Sequence, residues 1–274
     1  MRPDLKNFMA GTKARRPTPK IIEGWIRAGF GQGQGAAYKP FMFVRDIASP
    51  GLSNTIKSPV TGRIHHYITR EEYEVHLLAE YCPSIINIRE RFALLPWDET
   101  QAIASKLGIR HPRYPGTGTP TVITTDLLLT KKHSDGIELI AVSAALTKHL
   151  TPQTMEKLLI ERLYWNRRGV FWLLATEKNI PKLRAGNLRF FELARNDDQA
   201  SKSGITPALF SQRFEANHAQ GLCFNEILEK TSRDLGIDVQ TGHMLLGTAV
   251  WKRISHIDID AAELGHRSPV ALAA

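Results

Sequence analysis

Cysteine is almost absent from this chain: Cys82 and Cys223 are the two in 274 residues. They lie far apart and in no metal-ligand spacing, which excludes a disulfide scaffold and a zinc ribbon. Both read as small core residues. Long apolar runs are missing too. No stretch approaches the ~20 residues needed to cross a bilayer, and no hydrophobic signal segment opens the chain. A cytoplasmic protein without a membrane partner is expected. No internal repeat or low-complexity array is visible, and 42% hydrophobic with 23% charged residues is ordinary for a globular chain.

Positive charge is what the chain has in excess. Thirty-six Lys and Arg against 27 Asp and Glu give a net charge of +9, which suits an anionic partner, nucleic acid first. The excess is concentrated at the start. Between Met1 and Phe30 lie Arg2, Lys6, Lys13, Arg15, Arg16, Lys20 and Arg27 against Asp4 and Glu23. Pro17 and Pro19 argue against one continuous helix. The spacing predicts a basic arm, residues 1–30, leading into a short helix near Ile21 to Ala28. Such an arm can track DNA phosphates, with Arg15, Arg16 and Lys20 as the contacts. A solvated terminus accounts for it equally well. Gly31, Gly33 and Gly35 lack the spacing and the preceding strand of a dinucleotide loop, so they read as a tight turn.

The most informative stretch runs from Val122 to Ala145. Val122 to Leu129 is a β-branched and leucine-rich run with Asp126 inside it. Ser134-Asp135-Gly136 is a turn, and Ile137 to Ala145 pairs back as a hairpin. Side chains two apart on a strand share a face, so positions 143 and 145 are expected to face Asp126. An acid on one strand and an acid or amide, any residue, then lysine on the next is the frame of a metal-dependent nuclease. Here that triplet reads Ser143-Ala144-Ala145, without the lysine. An acid at a strand end meeting solvent is the plainer account.

Upstream, Thr69 is an N-cap with Glu72 in the capping-box position, and Tyr73, Leu77 and Tyr81 recur as a buried stripe. Glu72 therefore either caps its own helix or serves a site. Adjacent His65 and His66 face opposite ways on a strand and form no chelating pair. Ile85 to Ile88 reads as a strand, Glu99 to Leu107 as a helix, and the Pro- and Gly-rich stretch from Pro112 to Pro120 as a loop. Thr151-Pro152 starts a helix ended by Gly169, and Val170 to Leu174 is the next strand.

The chain resembles the TnsA family of transposition endonucleases. The resemblance lies in Gly31-Gln32-Gly33-Gln34-Gly35 with Tyr38 and Pro40, then Thr61-Gly62-Arg63-Ile64-His65-His66, and a helix carrying Glu72. It continues in Ile88-Arg89-Glu90-Arg91-Phe92 with Leu94-Leu95-Pro96, His111-Pro112 and Thr125-Asp126, and ends in Met155-Glu156-Lys157-Leu158 with Glu161-Arg162 and Tyr164-Trp165.

The resemblance implies an α/β fold, a restriction-endonuclease-like mixed sheet with flanking helices, and Mg²⁺-dependent hydrolysis at transposon 5′ ends. The implied metal ligands are Glu72, Asp126, Ser143 and the Ala144 carbonyl. Glu161 is implied as a further catalytic acid, and Ala145 stands where the family has its lysine. Deliberate replacement and natural loss both account for that alanine, and either predicts poor cutting. Transposon-end DNA, the TnsB transposase and the TnsC ATPase are the implied partners, with Arg63 a further DNA contact. A non-catalytic DNA-binding and assembly subunit is the alternative.

Residues 31–177 are expected to form the endonuclease-like domain and residues 178–274 a mostly helical, winged-helix-like one. Helices from Thr206-Pro207, from about Asn225 to Leu235, and after Asp238 fit the latter, with a short strand at Ile254 to Ile259. His243, Trp251, Lys252 and Arg253 on the third helix either meet DNA or protein, or form the polar face of a structural domain.

Overall fold

A computed structural model describes residues 16–43, 54–196 and 204–273. The chain divides into two compact units, Met1–Ile180 and Pro181–Ala274. Arg15 and the rest of the arm before residue 16 lie outside the described residues.

The first unit is a mixed sheet between helical layers. Helix α1 (Pro19–Arg27) begins with Pro19 at its first turn, where a missing N–H costs nothing. Its Ile22 is fully buried among Phe41, Ala93, Tyr114 and Val122. Residues 19–30 are thus part of the domain core rather than of a separate arm, because Ile22, Trp25 and Ile26 give the helix an apolar face to bury.

The glycine turn follows. Gly31 has φ 75°, and a Cβ there would lie 2.5 Å from the Ala93 Cβ. Gly31→Ala is therefore expected to destabilise by about 2 kcal/mol or more, through strain and overpacking. A denaturant melt checks it; an unchanged midpoint would show that the turn yields.

Strands β1 (Asn54–Lys57) and β2 (Ile64–Tyr67) pair antiparallel as a small hairpin. Helix α2 (Arg70–Tyr81) starts at Thr69, whose hydroxyl accepts the Glu72 amide at 3.2 Å. Tyr73 and Leu77 are buried as the stripe requires, but Glu71, Glu72, Glu74 and His76 are buried with them. The helix is enclosed nearly all round, so its acids have protein rather than water around them.

Strands β3 (Ile85–Ala93), β4 (Thr124–Lys132), β5 (Ile137–Ala144) and β6 (Phe171–Ala175) form the main sheet in the order β3-β4-β5-β6. The first three are antiparallel, and β6 joins parallel to β5. That parallel step needs a crossover, supplied by helix α4 (Pro152–Asn166). Thr151 caps it through the Thr154 amide, and Gly169 follows at φ 65°. Helix α3 (Trp97–Leu107) ends at left-handed Gly108. Leu94, Ile103, Ile123, Leu128, Ala141, Ile160, Tyr164 and Trp165 make the core between α3, α4 and the sheet.

The second unit is helical: α5 (Lys182–Phe190), α6 (Pro207–Ala216), α7 (Phe224–Asp234) and α8 (Val239–Trp251). Thr206 and Asp238 cap α6 and α8 through the Leu209 and Thr241 amides. The expected strand at Ile254 to Ile259 does not form. Among the described residues this region has only isolated bridges, Cys223 to Pro269 and Ile257 to Leu272, so no winged hairpin is seen. Nor is α8 an amphipathic helix with a polar face. Leu245, Leu246, Ala249 and Val250 are buried, and Gly242 and Gly247 let Phe210 and Phe191 approach its backbone. His243 packs among the rings of Phe190, Phe191 and Phe224, and Trp251 donates to the Phe191 carbonyl at 2.8 Å. Lys252 and Arg253 alone of the four residues singled out there are exposed.

Both cysteines are half-buried free thiols rather than core residues. No helix of the described residues is long and apolar enough to cross a membrane.

Candidate active site

Three charged side chains converge where α2 meets β3 and β4. Arg91 donates to Glu72 Oε1 at 2.6 Å and to Asp126 Oδ1 at 2.7 Å, so one guanidinium bridges two carboxylates. Glu72 keeps its capping role as well, accepting the Ile68 amide on Oε2 at 3.1 Å. The cap and the site are two uses of one side chain. Asp126 also accepts the Ala144 amide on Oδ2 at 2.9 Å. Burial raises the Glu72 pKa, Arg91 opposes this and Asp126 adds to it. For Arg91 burial works against the charge, but Glu72 and Asp126 outweigh it and hold the guanidinium above its usual value.

Strand alternation fails at this point, for a local reason. Arg91 has φ 49°, a left-handed conformation unusual for a residue with a Cβ. Its carbonyl accepts the Phe41 amide. Glu90 and Arg91, consecutive residues, consequently both reach the side of β2 and α2, while Phe92 packs on Trp165 of α4. Beside it on β4, Asp126 reaches Arg91 while Thr125 turns to α4.

Glu161 on α4 gathers a second group. Its Oε1 accepts from the Thr125 hydroxyl at 2.7 Å, the Ser143 hydroxyl at 2.5 Å and the Trp172 indole at 3.2 Å. Only 1% of Glu161 is exposed. Burial is the main reason its pKa is raised; Lys157 counters it, and Asp126 adds to it. Ionising this acid as pH rises costs folding stability, the reverse of an ordinary paired carboxylate.

These contacts change the expected site. Ser143 does not face Asp126 across the hairpin; its hydroxyl is turned to Glu161, since the break in alternation moves Asp126 and not Ser143 to the α2 side. Ala144 brings its amide, a donor, to Asp126. Ala145 lies past the end of β5, with its amide on the Ala175 carbonyl. Arg63, the further DNA contact that the resemblance implies, is held in an ion pair here. Its guanidinium lies over the Tyr38 ring and donates to both Glu90 oxygens and the Ile88 carbonyl, because a charge buried beneath β2 needs a partner. Arg16 and Lys20 are exposed.

Arg91 was missed by pattern reading. A signal existed in Arg89-Glu90-Arg91 between Ile88 and Phe92: three charges in a core strand require ion pairs.

The donors present do not complete a divalent-cation site. Magnesium wants several oxygen ligands in near-octahedral array, whereas the two carboxylates are taken up by a guanidinium and by amides. Among the described residues no group of three His, Cys, Asp or Glu side chains is placed to hold a metal.

Residues 82–177 match the TnsA-like endonuclease N-terminal family. Among curated proteins, the Tn7 transposition protein TnsA of Escherichia coli is 35% identical over 179 residues, which is 65% of this chain and 64% of that relative. The chain thus aligns with a little under two thirds of its relative's length. In the matched segment, which carries Arg91, Asp126, Ser143 and Glu161, and over the wider aligned region, the chain is similar to TnsA.

Proposed function

We propose that this chain is the TnsA-type subunit of a transposition complex: a nuclease-fold protein that binds transposon-end DNA beside a TnsB-type transposase and a TnsC-type ATPase, in a cleavage-deficient form. The observation that supports it best is the convergence of Glu72 and Asp126, from α2 and β4, at the end of a mixed sheet with a TnsA-like sequence. Cleavage of the 5′ ends with Mg²⁺ is the activity such a fold would carry. Neither Ser143 nor Ala145 supplies an amine there, and Arg91 occupies the acid pair.

A basic cleft supports the DNA half of the reading. Arg110, His111, Arg113 and Lys157 line a hollow of about 300 Å³ together with Pro112, Gln153 and Glu156. It lies between the loop that leads into β4 and the first turns of α4. Exposed Arg16 lies close to Gly116 in that same loop.

The test is strand-mapped cleavage and gel shift of end DNA with a TnsB-type transposase and Mg²⁺. The chain is expected to enter the complex and leave the 5′ strand uncut. A 5′ cut would overturn the cleavage deficiency, and absence of a complex would overturn the whole reading. Assembly without a cut, unaltered by any lysine substitution at the site, favours the second reading of a dedicated DNA-binding and assembly subunit.

A further inference from the structure

The structure assigns to Arg91 the role of an internal cation: in the DNA-free protein its guanidinium holds the Glu72–Asp126 pair closed to divalent metal. This rests on the nuclease-type reading of the acid pair, and it concerns what occupies that pair rather than what the complex does.

Three observations carry it. Arg91 contacts both carboxylates at once, through Nη2 to Glu72 and Nη1 to Asp126, so it takes one oxygen from each of the two groups that would ligate a metal. It is buried, with its side chain 11% exposed against 4% and 13% for the two acids, so water does not screen the triad. Its backbone is held at φ 49°, a conformation costly for arginine and one that sends its side chain to the acid pair.

Electrostatics explains the exclusion. Two carboxylates and one guanidinium leave a net charge of −1, where the bare pair would offer −2 to a divalent ion. A metal must therefore displace a cation already fixed by two charge-assisted hydrogen bonds. A competing anion for the guanidinium would ease that exchange, and a DNA phosphate is the anion that a chain of net charge +9 is suited to meet.

The test is Mn²⁺ titration of the full chain and of Arg91→Gln, without DNA, by calorimetry and by thermal melts in Mn²⁺ against EDTA. The native chain is expected to show no Mn²⁺-dependent rise in Tm. Arg91→Gln should melt lower in EDTA and recover with Mn²⁺, by about 5 °C or more at a hundredfold excess over Kd. Adding Asp126→Asn to Arg91→Gln should abolish that recovery.

Equal Mn²⁺ effects in native and Arg91→Gln chains, or none in either, would overturn the inference. If Arg91→Gln does not fold, Arg91→Lys takes its place: a single amine reaches both oxygens poorly, so a Mn²⁺ shift above native is expected, and none overturns the proposal. Failure here leaves the gel shift on end DNA untouched, while failure of that gel shift leaves the Mn²⁺ result standing, so the two readings fall separately.

Discussion

Placing a lysine at position 143 is expected to raise 5′-strand cutting of end DNA by about a hundredfold or more over the native chain, the scale of a positioned proton-transfer group. A lysine at position 145 should do much less. Pairing of β4 with β5 runs to Leu127 and Val142, so Ser143 is the next residue toward Asp126, and the Ala144 amide is already bonded to that carboxylate. The Ser143 hydroxyl lies 2.5 Å from Glu161, whose pKa is itself raised in part by Asp126. An amine there gains Glu161 as a carboxylate neighbour, one residue from the amide that holds Asp126. Ala145 is past the strand end and tied to Ala175. Ser143→Lys and Ala145→Lys, each verified as folded by its melt, would be assayed side by side with Mg²⁺ and a TnsB-type transposase. Cutting by Ala145→Lys alone would show that the backbone beyond β5 turns back to the acids. No cutting by either, with DNA complexes intact, would assign the site to assembly.

Arg63→Met is expected to destabilise the first unit by about 3–5 kcal/mol, the cost of leaving a buried charge without its partner. Glu90 is fully buried; it accepts from Arg63 and has His65 Nδ1 at 2.9 Å. Burial alone would raise its pKa, but the hydrogen bonds and charges of Arg63 and His65 prevail and lower it to about 2. The folded value lies below the unfolded one, so the stabilisation is complete above the unfolded pKa of about 4.5 and is lost as pH falls toward 2. Denaturant midpoints measured from pH 6 to pH 2 should fall steeply for the native chain, and less steeply for Arg63→Met, which has lost part of that shift already. Parallel curves would show that His65, not Arg63, holds the carboxylate ionised.

Much of the local structure was legible before folding. Thr69, Thr151, Thr206 and Asp238 are caps in the structure as in the sequence, since a side-chain oxygen one residue before a helix meets the same orphan amides whatever the fold. The hairpin around Asp126 and the α4–β6 unit were legible from residue pattern for the same reason: alternation and caps act over a few residues. His65 and His66 take different settings, one buried by Glu90 and the other half-buried against the Phe43 ring, as adjacency on a strand requires.

Period-based reasoning failed where the backbone departs from its period. At left-handed Arg91 two consecutive residues of β3 reach the α2 and β2 side, and on β4 and β5 Asp126 and Ser143 turn to different partners, Arg91 and Glu161. The expected strand at Ile254 to Ile259 failed for another reason. Ile257 and Ile259 are buried in a loop, which meets residues 271–273 through a single isolated bridge rather than a ladder.

The sequence by itself determined most of the long helices, the Asp126 hairpin and the strand after α4, where several of the helices start, the excess of basic charge, and the likeness to TnsA carried by ordered short motifs. These depend on neighbours within a few residues, or on composition. Only the tertiary structure decided that Arg63 pairs with Glu90, that Glu161 collects Ser143 and Thr125, and that Arg91 joins Glu72 to Asp126. Such pairings bring together residues 18 to 36 apart in the chain. Which charge meets which is set by the burial of strands and helices that exclude water around them, and no local pattern encodes that.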